Sequence, residues 1–371
     1  MADVDEEAEN LIDKAAVAAQ MGVLAVIAER LGKIGKAASM DVDAWELSDF
    51  IAIEAAMKRG RQLIDQAIAK ALDAMDKANY EWASAYYRAS GASESAEASA
   101  VIVEGRKDLS KRSDSLCRTS VMGIMDRHGN VVPLREGYRE AVSRAVAAMR
   151  AGEAAYQTEI ARTAAELARH GLRVRYESGY TRELYASVRT NVMDSYRTAM
   201  TAQRFAHADA FGYDGVEVSA HYQCATDHQP YQGQRYSLRE WRNLEGGLAR
   251  PLVTGANCRH TVSPVIMAVG KPSYSAEEIA AMNAQSNEAV RFRGVGGKTM
   301  ETSRYDATQY QRGIEREIRR SKAEAYLLEK EGRKVEAMAA SSRADDYTDY
   351  YRSMSRQAGL TRRDERTRLY V

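Results

Sequence analysis

Apolar side chains recur at helical spacing through most of this chain, and prolines are too scarce to break the pattern. Only 5 prolines occur in 371 residues; proline stops a helix because it lacks an amide hydrogen and clashes with the preceding turn. The clearest run is Leu184, Val188, Val192, Tyr196 and Met200, whose four-residue steps form a stripe that drifts slowly around one helix. Thr181 is its expected N-cap, Glu183 falls in its first turn, and Gly212 is its stop. Ile53, Met57, Ile64, Ile68, Ala71 and Met75 mark a second apolar face, with Asp41 or Asp43 as cap and Gly60 as a candidate bend. Leu11, Ala15, Ala18, Val23 and Ile27 mark a helix before it. Hydrophobic residues make up 45% of the chain, enough for a sizeable core and against wholesale disorder.

Short strands are expected where this periodicity lapses. Val131–Leu134 follows the turn signal His128-Gly129-Asn130, and Leu172–Tyr176 alternates apolar and polar residues. Between Gly212 and Gly270 three more segments read as strands, 215–219, 233–237 and 258–265. Helical pattern resumes at Ser275, with a glycine-rich break at Gly294–Gly297. A seam of Ile314, Ile318, Ser321, Ala325 and Leu328 follows, then an antiparallel helix through Tyr347, Tyr351 and Met354. Glu315 with Arg319 and Glu329 with Arg333 stand at ion-pair spacing. No internal repeat is evident. The expected architecture is predominantly α with a small α+β module: helical N-terminal and C-terminal arms around a short-stranded, His/Cys-containing central unit. The expected divisions are an N-terminal helical region 1–112 with a mobile Ser-rich loop near 90–99, a central helical region 113–211, the module 212–270, and a C-terminal helical hairpin with a basic tail, 271–371.

Net charge is +1, which argues against coating nucleic acid through bulk charge. Charge is nevertheless uneven. The N-terminus is acidic (Asp3, Asp5, Glu6, Glu7, Glu9), and the C-terminus carries Arg352, Arg356, Arg362, Arg363, Arg366 and Arg368. These are solvated faces, or the tail docks on an acidic protein or on packaged DNA. Cys117, Cys224 and Cys258 form no disulfide framework, so a reducing compartment is expected. The acidic first residues do not read as a secretory leader. The apolar stretch Ala15–Ala28 falls below the ~18–20 residues of a membrane span and reads as a core helix, so no membrane partner is expected.

Zinc-type ligands cluster in the module: His221, Cys224 and His228 in one segment, Cys258 and His260 in another. On an extended segment Cys258 and His260 share one face and Arg259 takes the other. A mononuclear zinc site of three or four of these residues is one reading; a hydrogen-bonded cluster with Asp227 is the other. A Cys258 nucleophile served by His228 or His260 is a third, though nothing marks an oxyanion hole. Gly296-Gly297-Lys298-Thr299 lacks the glycine a phosphate loop needs, since Phe292 stands there.

Val216-Glu217-Val218-Ser219-Ala220-His221, then Asp227-His228-Gln229-Pro230-Tyr231-Gln232-Gly233, then Gly255-Ala256-Asn257-Cys258-Arg259-His260 and Pro264, resemble the phage minor capsid protein 2 family, distant relatives of Mu-type head-morphogenesis proteins. Tyr305–Gln309 and Gly359–Asp364 resemble its closing region. The resemblance implies a non-enzymatic virion component of a tailed phage, built into the head near the portal after assembly in the host cytoplasm. Portal, major capsid or scaffold protein are the partners it implies. His221, His228, Cys258 and His260 match the family pattern and are the preferred metal set; Cys224 does not match it. A zinc- or cysteine-dependent enzyme using this cluster, or a helical adaptor with no site, are the competing readings.

Overall fold

The structure, a computed structural model, describes residues 2–34, 41–86, 96–118, 121–126, 128–209, 212–246, 258–268 and 271–371. It is mainly helical with three small antiparallel sheets, as the periodicity predicts. Helix α1 (Ala2–Lys33) packs along α2 (Val42–Tyr86), and α3 (Ala96–Leu116) lies against α6 (Leu184–Asp209). With α4 (Leu134–Ala151) and α5 (Glu153–His170) they share one core. All five ladder residues of α6 are buried in it, each contributing about 1.5–3 kcal/mol by removal from water. Helix α1 is long and apolar enough to cross a membrane by length and composition, since the qualifying stretch is Asp5–Lys33 rather than the shorter run read from the sequence. Here Ile12, Leu24, Ile27 and Leu31 are buried in the core.

Asp41 caps α2, accepting from the amides of Asp43 and Ala44. Gly60 does not interrupt the helix. A Cβ there would stand 2.9 Å from that of Ala19, so the glycine lets α1 and α2 approach. Of the expected Ser-rich loop, residues 90–95 lie outside the described residues and 96–99 open α3, which continues through the boundary placed at 112/113.

An architectural recurrence emerges that the sequence does not display. Four times a strand runs into a helix with no residue between: β2 (Val131–Pro133) into α4, β4 (Thr181–Glu183) into α6, β6 (Arg235–Ser237) into α7 (Leu238–Gly246), and β9 (Thr299–Ser303) into α9 (Arg304–Lys330). Each of these strands pairs with an earlier one: β1 (Met122–Met125), β3 (Arg173–Arg175), β5 (Gly215–Val218) and β8 (Ala289–Arg293) respectively. The junction works because an N-cap residue keeps extended dihedrals while its side chain serves the first turn. Ser237 and Glu240 exchange such bonds, and Ser303 accepts from the Asp306 amide. Thr181 therefore does not cap α6. It pairs with Arg175 across the turn at Gly179, and Glu183 also lies in the strand.

The glycine-rich break is the turn of the β8–β9 hairpin, closed by Gly294 and Lys298. Helix α9 and the antiparallel α10 (Lys334–Gln357) bury Ile314, Ile318, Tyr351 and Met354. The expected ion pairs along α9 do not form. Glu315 is buried and accepts from the Tyr351 hydroxyl, while Arg319 donates to Tyr185 and Arg333 to Glu336.

Glu331 ends α9 with both carboxylate oxygens buried and unbonded. Burial pushes its carboxyl up to about 9, opposed only by Arg333. The folded state therefore holds a proton that the unfolded chain releases near pH 4.5. That stabilisation is complete below the unfolded value and is lost as pH rises through about 9. Glu331→Gln should flatten the pH profile and raise stability at pH 8 by about 2–4 kcal/mol, since holding a proton above the pH at which the free carboxyl releases it costs roughly 1.4 kcal/mol for each tenfold fall in proton concentration. Urea unfolding at pH 5 and pH 8 checks this; parallel profiles for the two proteins would contradict it.

Candidate metal centre

The module's sheet has the order β6-β5-β7, with β7 at Val262–Val265. Every residue of β5 is buried, which anchors the loop leaving it. The Ser219 amide donates to the Thr261 carbonyl, and the Thr261 amide returns a bond to the Ser219 hydroxyl. This pair brings the His221–His228 loop beside the Cys258–His260 segment. Cys258 and His260 precede β7 rather than lying in it, yet both are buried while Arg259 turns away. The expected alternation holds without ladder pairing. Asn257 and the glycine and alanine before it lie outside the described residues.

The Cys258 Sγ stands 3.3 Å from His260 Nδ1 and 3.6 Å from His228 Nδ1. One ligand atom from each of these three residues lies within 4.8 Å of the others. His221 stacks at 4.4 Å between ring centroids on His260. Its Nδ1 donates to the Tyr222 carbonyl at 2.9 Å, because a carbonyl can only accept. That fixes Nε2 as the lone-pair nitrogen, and Nε2 is buried with no hydrogen-bond partner. Cys224 comes closer than its place in the family pattern suggests, with Sγ 3.7 Å from His260 Nε2. Asp227 stays exposed, 4.0 Å from His228 Nε2.

A metal-ligating imidazole needs its second nitrogen held elsewhere. Gln232 supplies this for His260, with Oε1 at 3.5 Å from Nε2, a long contact that leaves Nδ1 toward Cys258. The same Oε1 accepts from the His221 amide, and the Gln232 amide nitrogen reaches Asn283 on α8 (Ala276–Asn287). The next residue, Gly233, has φ of +70° and Ile279 2.4 Å from where a Cβ would sit. The aromatic-Gln-Gly turn thus has a structural cause: only glycine admits both the backbone and the neighbour. Gln223 holds a positive φ of 59° between His221 and Cys224, backbone that side chains disfavour.

Burial, with His221 and His228 adding to it, pushes His260 down to about 3, so its imidazole is neutral. Burial chiefly pushes the Cys224 thiol up to about 12. Imidazoles beside a thiol form a donor set for zinc, which takes nitrogen and thiolate ligands in tetrahedral sites. The donor chemistry and the free His221 Nε2 both fit.

The composition hides a second feature. Glu9 of α1 is buried, and it pairs with Arg259 at 3.1 Å, Arg366 at 3.0 Å, and Arg189. Burial alone would raise its carboxyl, but Arg259, Arg189 and Arg366 hold it well below the usual carboxylate range. Arg363 pairs with Glu6 at 2.5 Å. The acidic N-terminus and part of the basic tail therefore neutralise one another inside the molecule. Arg259 sits between the two cluster residues and ties the module to this network. Gln232 stands in the sequence only as part of the Tyr231-Gln232-Gly233 motif and Glu9 only as one of the acidic N-terminal residues; nothing in either context marks the roles they take here.

The model of one family, described as phage minor capsid protein 2, matches residues 5–353. No curated protein and no solved structure gives a match.

Proposed function

The chain belongs to the phage minor capsid protein 2 family, and on that premise we propose that it is a non-enzymatic component of a tailed-phage head, placed at or near the portal. The match over nearly the whole chain carries this reading, because it takes in the helical body and the His/Cys module together. Its partners would be portal, major capsid or scaffold protein. Exposed Leu47 and Ile51 on α2, and Val335 and Met338 on α10, offer apolar contacts to them. Contact of the basic tail with packaged DNA would fall first to Arg356 and Arg368, since Arg363 and Arg366 are engaged by Glu6 and Glu9, and Arg352 and Arg362 pair with Asp349 and Asp364.

Within this role, His228, Cys258 and His260 would hold zinc, with His221 Nε2 as the fourth donor and Cys224 as its competitor. Bound zinc would supply a crosslink between the loop after β5 and the segment before β7. The competing enzyme reading draws on the Cys258 contact with two imidazoles. Burial pushes His260 down to about 3, which makes it a weak base for a thiol proton.

Mass spectrometry of purified mature heads, made in the host and freed of empty shells, should find this protein at low copy number per portal ring. Heads that package DNA and contain none of it would overturn the placement.

A further inference from the structure

A cavity of about 510 Å3 lies beside the His221 loop, bounded by α1, α6, α9 and the C-terminal segment. We propose that it binds a small phosphate monoester through the guanidinium groups of Arg197 and Arg312.

The walls carry more positive charge than they neutralise. Arg259 and Arg366 are taken up by Glu9, and Arg363 by Glu6. Glu217, also at the wall, is occupied by Arg235 and the Ser273 amide. Asp5 is the remaining carboxyl; burial raises it against the pull of Arg197 and Arg204. Arg197 and Arg312 stay under-satisfied. The Nε of each is buried with no hydrogen-bond partner, and the bond Arg312 makes through its side chain, to Gln309 at 3.2 Å, goes to a neutral oxygen.

A guanidinium keeps its charge and presents five donors in a rigid fork, so leaving its Nε buried and unbonded is costly. Two such groups, from α6 and α9, on the wall of one open cavity match the charge and the several acceptor oxygens of a phosphate. Burial, then Arg259 and Arg366, push Arg312 down to about 10, a sign of the positive field there. Trp82 and Tyr274 line the same space and give an apolar wall to the rest of the ester. The volume falls within the roughly 300–1,000 Å3 of small-molecule pockets. It admits a nucleotide-sized ligand, not a duplex.

Isothermal titration of the full-length protein with a deoxynucleoside 5′-monophosphate, with inorganic phosphate and with the unphosphorylated nucleoside tests the assignment. Saturable binding of the first two, and none of the nucleoside, is expected. Arg312→Gln and Arg197→Gln should each weaken the monophosphate by about tenfold or more, the scale of one charge-assisted hydrogen bond. Arg150→Gln, exposed at the end of α4 and outside the cavity, should leave affinity unchanged. Arg197 is half-exposed and makes no ion pair among the described residues, so its variant should fold even if the Arg312 variant does not. No saturable binding up to ~10 mM, equal binding of nucleoside and monophosphate, or full affinity in the Arg197→Gln protein would each overturn the proposal.

Discussion

Glu9→Gln should destabilise the protein by about 3–5 kcal/mol, the scale of breaking a buried ion pair and leaving its partners uncompensated. Three arginines from three parts of the chain converge on this one carboxylate: Arg189 from α6, Arg259 from the segment before β7 and Arg366 from the C-terminal 3-10 turn. Losing the charge leaves all three crowded together. Urea unfolding at pH 7 measures the cost, and a loss under about 1 kcal/mol would show the network to be ornamental in the way exposed pairs are. A second variant, Arg366→Gln, should cost less because Glu9 keeps two partners. The pH dependence has a definite sign. The folded-state carboxyl is held below its unfolded value, so its stabilisation is complete above about pH 4.5 and is lost as pH falls through the depressed value. Between pH 5 and 8 this group should contribute no slope, unlike Glu331.

On the proposal that the cluster holds zinc, stripping metal from the protein should loosen the module while the helical body stays folded. Apparent zinc-binding energies in small structural sites are on the order of 10–16 kcal/mol, and the donors here join two segments that share few other bonds. Amide exchange in β5, β7 and the intervening His221–His228 loop should rise by a factor of about 100 or more on treatment with a strong chelator. Exchange in α6 should change little, because its ladder is buried in the main core rather than in the module. Cys258→Ser with His260→Ala should reproduce the chelated state without chelator. Exchange that is the same with and without chelator would show that the cluster stands on hydrogen bonds alone.

The helices were legible because burial imposes a period on the sequence. The α6 ladder is buried where spacing placed it, as are Ile314, Ile318, Ser321, Leu328, Tyr351 and Met354 of the α9–α10 seam, while Ala325 and Tyr347 are only partly buried. Helix starts were less legible. Thr181 has the chemistry of a cap, but the Gly179 turn folds it back onto β3 in a short hairpin whose three-residue strands are too brief to show a period. The four strand-to-helix junctions were hidden for a related reason: each strand is three to five residues long, too short to establish a period of two. His228, Cys258 and His260 could be singled out because Cys and His are rare and chemically distinctive. The roles of Gln232 and Glu9 could not be read, since glutamine and glutamate are common at surfaces and only the fold reveals that these two are buried.

Metal content of the purified full-length protein bears most directly on the account that a Cys/His knot pins this capsid component's module together. Elemental analysis should return one zinc per chain, and the Cys258→Ser, His260→Ala protein should return none. A well-folded wild-type protein that carries no zinc after purification in zinc-supplemented buffer would contradict it.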